Sequence, residues 1–385
     1  MHFNVGKNFL KIIALFLSWR FFLVLCAIFA INFIPLGATD RFLGGGPLNF
    51  QLSPEFFGWA NFDGEHYLSI AIFGYKGLEQ AFFPIYPMLI SFFSEPFSQT
   101  LFSSLVSSVF IGIVISNFSL LLAIKLIWEL VKIDYPLKIA FGTIIAILIF
   151  PTSFYLGAVY SESLFLLLAV ASFYFARKGN WFLAGFFGVV SAATRIFGVL
   201  LLPALIIEAW QQRTTIKKSL WIFLIPVGLL GYMVYQWQLV GDPFAFYKLQ
   251  KLVGEQHQSG ITLLPQVYYR YVKMIMDTSP SNPIFQTLLL EFIVGIAFLI
   301  LPIYGLIKKI RLSYIFFALA GFLIPSIQGS FSSVPRYVIV FFPSFIALAL
   351  FVSSLPKLVK LIIVIISLII LGLETSLFLR GYWVA

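Results

Sequence analysis

LVKLIIVIISLIILGLETSLFL, residues Leu358–Leu379, carries only two charges, Lys360 and Glu374. A helix of about 20 such residues crosses a hydrocarbon core about 30 Å thick. Working outward, comparable runs lie near Arg20–Leu36, Ser104–Trp128, Lys138–Leu156, Ser161–Ala176, Trp181–Thr194, Phe197–Ala209, Leu220–Leu239, Gln286–Ile307, Leu312–Gln328 and Tyr337–Ser354. With the first they make eleven. The composition agrees, with 61% hydrophobic and 10% charged residues among 385 and a mean hydropathy of +0.99. A soluble domain has roughly 45–50% apolar and about 25% charged residues, so soluble, disordered and fibrous classes are excluded. The pattern predicts an all-α polytopic membrane protein, one transmembrane domain over residues 1–385, with about 11 transmembrane helices.

Charge orients the spans. Starting inside, the connections hold 16 of the 25 basic residues, from Lys7, Lys11 and Arg20 to Lys357 and Lys360, against Glu129, Asp134 and Glu208. The remainder holds nine basic and twelve acidic residues. Basic loops mark the cytoplasmic side, so the net charge of +10 is read as topology rather than as nucleic-acid binding. Met1–Ser18 reads as an amphipathic stretch lying on the cytoplasmic interface, before the span at Arg20–Leu36. That span has no small-residue cleavage site and reads as retained. Cys26, the sole cysteine, reads as a small hydrophobe. The eleven-span count requires Trp181–Ala209 to break in two around Thr194-Arg195-Ile196-Phe197-Gly198, and half-helices meeting at a buried arginine line cavities. Two large outer loops result, 37–80 (to 100 with a Pro-rich interfacial or re-entrant stretch) and 241–285. Neither GxxxxGK[ST] nor GxGxxG occurs, and the cytoplasmic connections are short. Chemistry is therefore expected outside the cytoplasm, without direct use of ATP.

The densest polar cluster is Asn61-Phe62-Asp63-Gly64-Glu65-His66-Tyr67, at the start of a short helix in the first outer loop. Asp63 has two readings: an N-cap accepting backbone N–H bonds, or a general base whose carboxyl is perturbed near an apolar boundary. Glu65 reads as a solvated face or a site residue, and His66 as an interface or a site residue. Asp63, Glu65 and His66 do not share one helix face, so no metal site is expected.

Phe62-Asp63-Gly64-Glu65-His66-Tyr67-Leu68-Ser69-Ile70-Ala71, Gly74-Tyr75 and Ala81-Phe82-Phe83-Pro84-Ile85-Tyr86-Pro87 resemble the signature of the PIG-V family. That family contains the second mannosyltransferase of GPI-anchor synthesis and its prokaryotic relatives. Tyr160-Ser161-Glu162-Ser163-Leu164-Phe165, Ala193-Thr194-Arg195-Ile196-Phe197-Gly198, Pro335-Arg336-Tyr337 and Phe341-Phe342-Pro343 continue the resemblance in order. It implies a GT-C glycosyltransferase fold with a large first extracytoplasmic loop carrying interfacial helices. It also implies Asp63 as the essential acid, and inverting transfer of mannose or another hexose from a polyprenyl- or dolichyl-phosphate-sugar to an acceptor hydroxyl of a glycan or glycolipid. No cofactor or metal is expected, and the compact loops suit a prokaryotic plasma membrane with the site facing out, or the endoplasmic reticulum membrane if the source is eukaryotic.

An inverting transfer needs one carboxylate base and cations for the departing phosphate. Arg195 and Arg336 are the candidate cations, with a snorkelling arginine as the other reading of Arg336. Glu162 is expected to pair with Arg195 or to cap its helix, and Tyr86 and Lys248 are further candidates for substrate binding. Asp242 reads as an Asx-turn. Lys251 and His257 read as solvated or as substrate contacts. The rival reading is a lipid or solute transporter or flippase, which broken helices and buried arginine also suit. It predicts inverted repeats, and no second copy of the Asp63 block occurs.

Overall fold

The computed structural model describes residues 3–37, 43–253, 261–282 and 284–384. Among them every regular element is helical. Five helices are long and apolar enough to cross a membrane: Asn8–Phe33, Leu101–Val131, Ile216–Val240, Ile284–Ile307 and Lys357–Leu379. Shorter apolar helices occupy most other runs read from the sequence, at Leu137–Leu148, Trp181–Thr194, Ile196–Gln211, Leu312–Ser326 and Phe342–Ser354. Each short one packs against longer neighbours, so protein rather than lipid meets part of its surface.

Several boundaries move, each for a local reason. The N-terminal interfacial stretch and the first span form one continuous helix, Phe3–Phe33. Arg20, assigned by the sequence to the cytoplasmic end, sits within that helix with its guanidinium 4.4 Å from the Trp59 ring centre. It donates to the Gly157 carbonyl at 3.3 Å. The run expected at Lys138–Leu156 ends as a helix at Leu148. Pro151 cannot donate to a continuing ladder, and turns lead to a short 3₁₀ helix, Ser153–Gly157. The run at Tyr337–Ser354 is interrupted after a one-turn helix, Val334–Val338, and restarts at Phe342–Ser354 with Pro343 in its first turn.

The centre of the molecule is the helix Glu162–Arg177, packed between Leu101–Val131 and Trp181–Thr194 and buried along most of its length. Glu162 in its first turn and Arg177 in its last complement the helix dipole. The expected break after Thr194 is present: Arg195 is extended (φ −154°, ψ 148°) between two helices. Gly198 makes the reversal feasible, because a Cβ there would lie 2.3 Å from the Ala192 backbone nitrogen. The segment read as the first outer loop contains short helices including Asp63–Phe73 and Ile85–Ser94, and the segment read as the second contains Ala245–Val253 and Leu264–Asp277.

Candidate active site

Asp63 is placed by an unusual backbone. Phe62 has φ 57° and ψ −118°, a region costing about 1–3 kcal/mol for a residue with a side chain, sustained only by surrounding contacts. The Phe62 ring packs against Phe378 and Trp383, with centroids 5.8 and 5.6 Å away. Asn61 is tied on both sides: its Oδ1 accepts from Gly44 N–H and its Nδ2 donates to the Phe378 carbonyl, each at 2.8 Å. The Tyr160 hydroxyl donates to the Asn61 carbonyl at 2.9 Å. Gly44 must be glycine, since a Cβ would lie 2.0 Å from the Phe57 carbonyl oxygen.

Asp63 is the first residue of its helix, not the cap. The Gly64 and Glu65 amides bond to the Asn61 and Phe62 carbonyls. The N-cap reading therefore fails, because backbone oxygens serve those donors. The carboxylate is instead met by Arg336, whose Nη1 donates to Oδ2 at 2.7 Å. Asp63 keeps 22% of its side chain exposed, whereas Arg336 keeps 7%.

Behind this pair runs a chain of alternating charge. Glu162 Oε1 lies 2.6 Å from Arg195 Nη1 and 3.7 Å from Arg336 Nε. Ser161 Oγ accepts from Arg195 Nη1 at 3.2 Å and bonds the Tyr67 hydroxyl at 2.9 Å. The Arg336 guanidinium faces the rings of Tyr337, Tyr155 and Tyr160, 5.1 to 5.7 Å from their centres. Glu162 Oε2 and Arg336 Nε are buried without a hydrogen-bond partner among the described residues. Orphan buried polar atoms are costly, and each calls for an explanation such as a bound water, an ion or a functional role. Asp63, Glu162, Arg195 and Arg336, spread over 273 residues of chain, thus meet in one cluster with a proton acceptor and two guanidinium groups.

Other candidates stand elsewhere. Glu65 lies about 200° around the helix from Asp63 at 100° per residue. Its Oε1 accepts from Gly46 N–H at 3.0 Å. Burial pushes its carboxyl up to about 7, against the lowering effect of the Gly46 bond. With His66, Asn49, Ser69 and Glu79 it lines a separate cavity of about 430 Å³. The His66 ring stacks on Phe82 at 4.7 Å. Tyr86 is fully buried, donates to the Gly112 carbonyl at 3.0 Å and bonds Ser116 Oγ at 2.8 Å, so it supports the Asp63 helix through Tyr67 rather than facing Asp63. Lys248 is exposed and paired with Asp242 at 2.7 Å. Asp242 Oδ1 accepts from Phe244 N–H at 3.0 Å, the expected Asx-turn, and Lys248 first and that N–H second hold its carboxyl below the usual range. His257 and the Lys251 side chain lie outside the described residues. No group of three or more His, Cys, Asp or Glu among the described residues is arranged to hold a metal ion. The sequence reading passed over Glu291 and Tyr271, which stand behind Arg336, although a lone acid inside an apolar run is itself a signal.

Comparison with known proteins finds a family model similar to part of the chain. Residues 44–221 match the family model described as Mannosyltransferase (PIG-V). The match contains Asp63, Glu65, His66, Tyr86, Glu162 and Arg195 of the resemblance read from the sequence, while Arg336 and Lys248 lie beyond it. No curated protein matches. A crystal structure of the Archaeoglobus fulgidus oligosaccharyltransferase, tethered with an acceptor peptide containing the NVT sequon via a disulfide bond, is similar at 12% identity and a TM-score of 0.44. The similarity covers 95% of this chain and 55% of that one, so the chain spans about half the length of the solved protein. The matched segment thus holds Asp63, Glu162 and Arg195 of the cluster, and Arg336 comes from the later chain.

Proposed function

We propose that this chain is an integral membrane glycosyltransferase of GT-C type. It moves a mannose, or another hexose, from a polyprenyl- or dolichyl-phosphate-sugar to an acceptor hydroxyl on the extracytoplasmic side of a prokaryotic plasma membrane, with inversion. The observation that carries this reading is the partly exposed Asp63 carboxylate held 2.7 Å from Arg336 in a site backed by Glu162 and Arg195.

The acceptor oxygen attacks the anomeric carbon from the face opposite the phosphate. As the new C–O bond forms, Asp63 takes the hydroxyl proton, and the sugar–phosphate C–O bond breaks with its electron pair leaving on phosphate. One base suffices, unlike the acid–base pair of a hydrolase. The growing charge on phosphate is met by guanidinium groups, which bind it in bidentate fashion. Arg336 spends Nη1 on Asp63, while its Nη2 makes a long hydrogen bond of 3.4 Å to the Tyr337 hydroxyl. Arg195 is fixed by Glu162 and stands behind it.

The sidedness rests on charge. The helix Glu162–Arg177 has 16 residues, about 24 Å at 1.5 Å per residue. Its far end gathers Arg177, Asp134 and Arg311, residues of the basic connections, so the Asp63 end faces the other way.

The test is purified protein in lipid nanodiscs with radiolabelled polyprenyl-phosphate-mannose and a membrane glycolipid fraction. Label transferred to the glycolipid with inverted anomeric configuration supports the reading. No transfer from any lipid-phosphate hexose, with flux of labelled lipid in proteoliposomes, overturns it in favour of a transporter.

A further inference from the structure

Arg336 reaches Asp63 from a buried, irregular segment whose geometry is dictated from below. Residues 328–333 follow the helix Leu312–Ser326 and precede Val334–Val338, and Ser330, Phe331, Ser332 and Ser333 are all buried. Ser333 has φ 61°, a left-handed conformation that a serine holds only under constraint. Its carbonyl accepts from both Arg336 N–H (3.1 Å) and Tyr337 N–H (3.0 Å), so the turn at Ser333 sets the direction of the short helix carrying the guanidinium.

Two side chains hold that turn. Glu291, in the helix Ile284–Ile307, accepts from Ser333 N–H through Oε1 at 3.3 Å and from the Tyr271 hydroxyl through Oε2 at 2.7 Å. The same Tyr271 oxygen accepts from Phe331 N–H at 3.1 Å and bonds Ser330 Oγ at 3.2 Å. Tyr271 belongs to the helix Leu264–Asp277, whose buried face is Val267 and Tyr271, one turn apart. Further ties join this second outer loop to the segment: Thr262 N–H to the Ile327 carbonyl at 2.8 Å and Arg270 Nη1 to the Gly329 carbonyl at 3.3 Å. Neither Glu291 nor Tyr271 appears in the Asp63 cluster itself. A carboxylate in an apolar span is costly, and here both its oxygens are committed to one turn.

We propose that Glu291 and Tyr271 are positioning residues for the transfer: they fix the turn at Ser333 and thereby the approach of Arg336 to Asp63. This rests on the proposed glycosyl transfer and extends it to a part of the chain beyond the family match. Displacement of a catalytic group by about 1 Å can cost up to a hundredfold in rate, so a lost hydroxyl below the turn is felt in turnover.

The experiment is a double-mutant cycle of Tyr271→Phe and Arg336→Lys, read as kcat and donor KM in nanodiscs, with the melting temperature recorded for each protein. Tyr271→Phe lowers kcat about tenfold with donor KM within about twofold, and adding it to Arg336→Lys lowers kcat no further, because both act on one interaction. Losses that multiply, or a Tyr271→Phe protein as fast as wild type, overturn the proposal. Where Tyr271→Phe does not fold, Glu291→Gln and Glu291→Ala take its place: Gln keeps an acceptor for Ser333 N–H and retains most of the turnover that Ala loses. Equal losses in these two overturn the positioning role. Inactive wild-type protein defeats the transferase reading itself, whereas active wild type with a silent Tyr271→Phe defeats only this inference.

Discussion

The two ends of the helix Glu162–Arg177 carry two ionic clusters built from the same residue types in opposite states. At the C-terminal end, Glu208 is completely buried, and its oxygens accept from Arg311 Nε and Nη2 at 3.0 and 2.8 Å, from Gln212 at 2.6 Å and from the Ser313 hydroxyl. Arg177 adds an ion pair to Glu208 and holds Asp134 at 2.8 Å. Each Glu208 oxygen has at least two donors. At the N-terminal end, Glu162 has one oxygen on Arg195 and the other without a hydrogen-bond partner among the described residues, Asp63 is partly exposed, and the adjoining backbone is strained at Phe62. A satisfied network has no bonding capacity left for a substrate and acts as a lock between helix ends. An unfinished one retains that capacity, at a cost in stability.

That contrast can be broken by substitution. The largest effect is expected for Glu208→Ala, which strips the carboxylate from half-buried Arg311 and leaves Arg177 with the carboxylate of Asp134 alone: up to about 3–5 kcal/mol of stability, read as a lowered midpoint in denaturation, with turnover per folded molecule preserved. Glu162→Gln does the reverse. Its amide oxygen still accepts from Arg195, so stability falls less, while kcat drops about a hundredfold as both arginines lose their fixing charge.

Glu65→Gln sharpens the boundary of the site. The Glu65 carboxyl titrates at about 7 when folded against a reference value of 4.5, so between these values the folded protein binds more protons than the unfolded one. Stability therefore falls as pH rises through that window and stays down above it. Glutamine removes the titration and keeps an acceptor for Gly46, so Glu65→Gln melts at the wild-type temperature near pH 4 and above it by pH 8, an advantage on the order of 2 kcal/mol. The smallest effect belongs to Lys248→Ala, which leaves melting and turnover unchanged because its partner Asp242 is at the surface.

Local sequence made some features legible and not others. The break at Arg195 was readable because one arginine ended an apolar run, and Trp181–Thr194 matches the expected segment at both ends. Asp63, Glu162, Arg195 and Arg336 each stood out as polar groups among apolar neighbours. Their meeting did not, since Arg336 and Asp63 are 273 residues apart. Glu65 and His66 stayed site candidates by adjacency to Asp63; that the three do not share a helix face was readable from spacing, while the separate cavity that Glu65 and His66 line was not. The lysines at the N-terminus suggested an interfacial helix separate from the first span, yet the backbone runs on as one helix, Phe3–Phe33. The strain at Phe62 left no trace in composition, because tertiary contacts from Gly44, Tyr160 and Phe378 create it.

The central claim is that Asp63 accepts the proton during transfer, and Asp63→Asn tests it most directly. The amide is isosteric and keeps an oxygen for Arg336 but cannot take the acceptor proton. Wild-type and Asp63→Asn proteins, matched for melting temperature in nanodiscs, are to be compared for transfer from polyprenyl-phosphate-mannose. The account predicts a fall of at least about a hundredfold in kcat. Transfer by Asp63→Asn at the wild-type rate contradicts it.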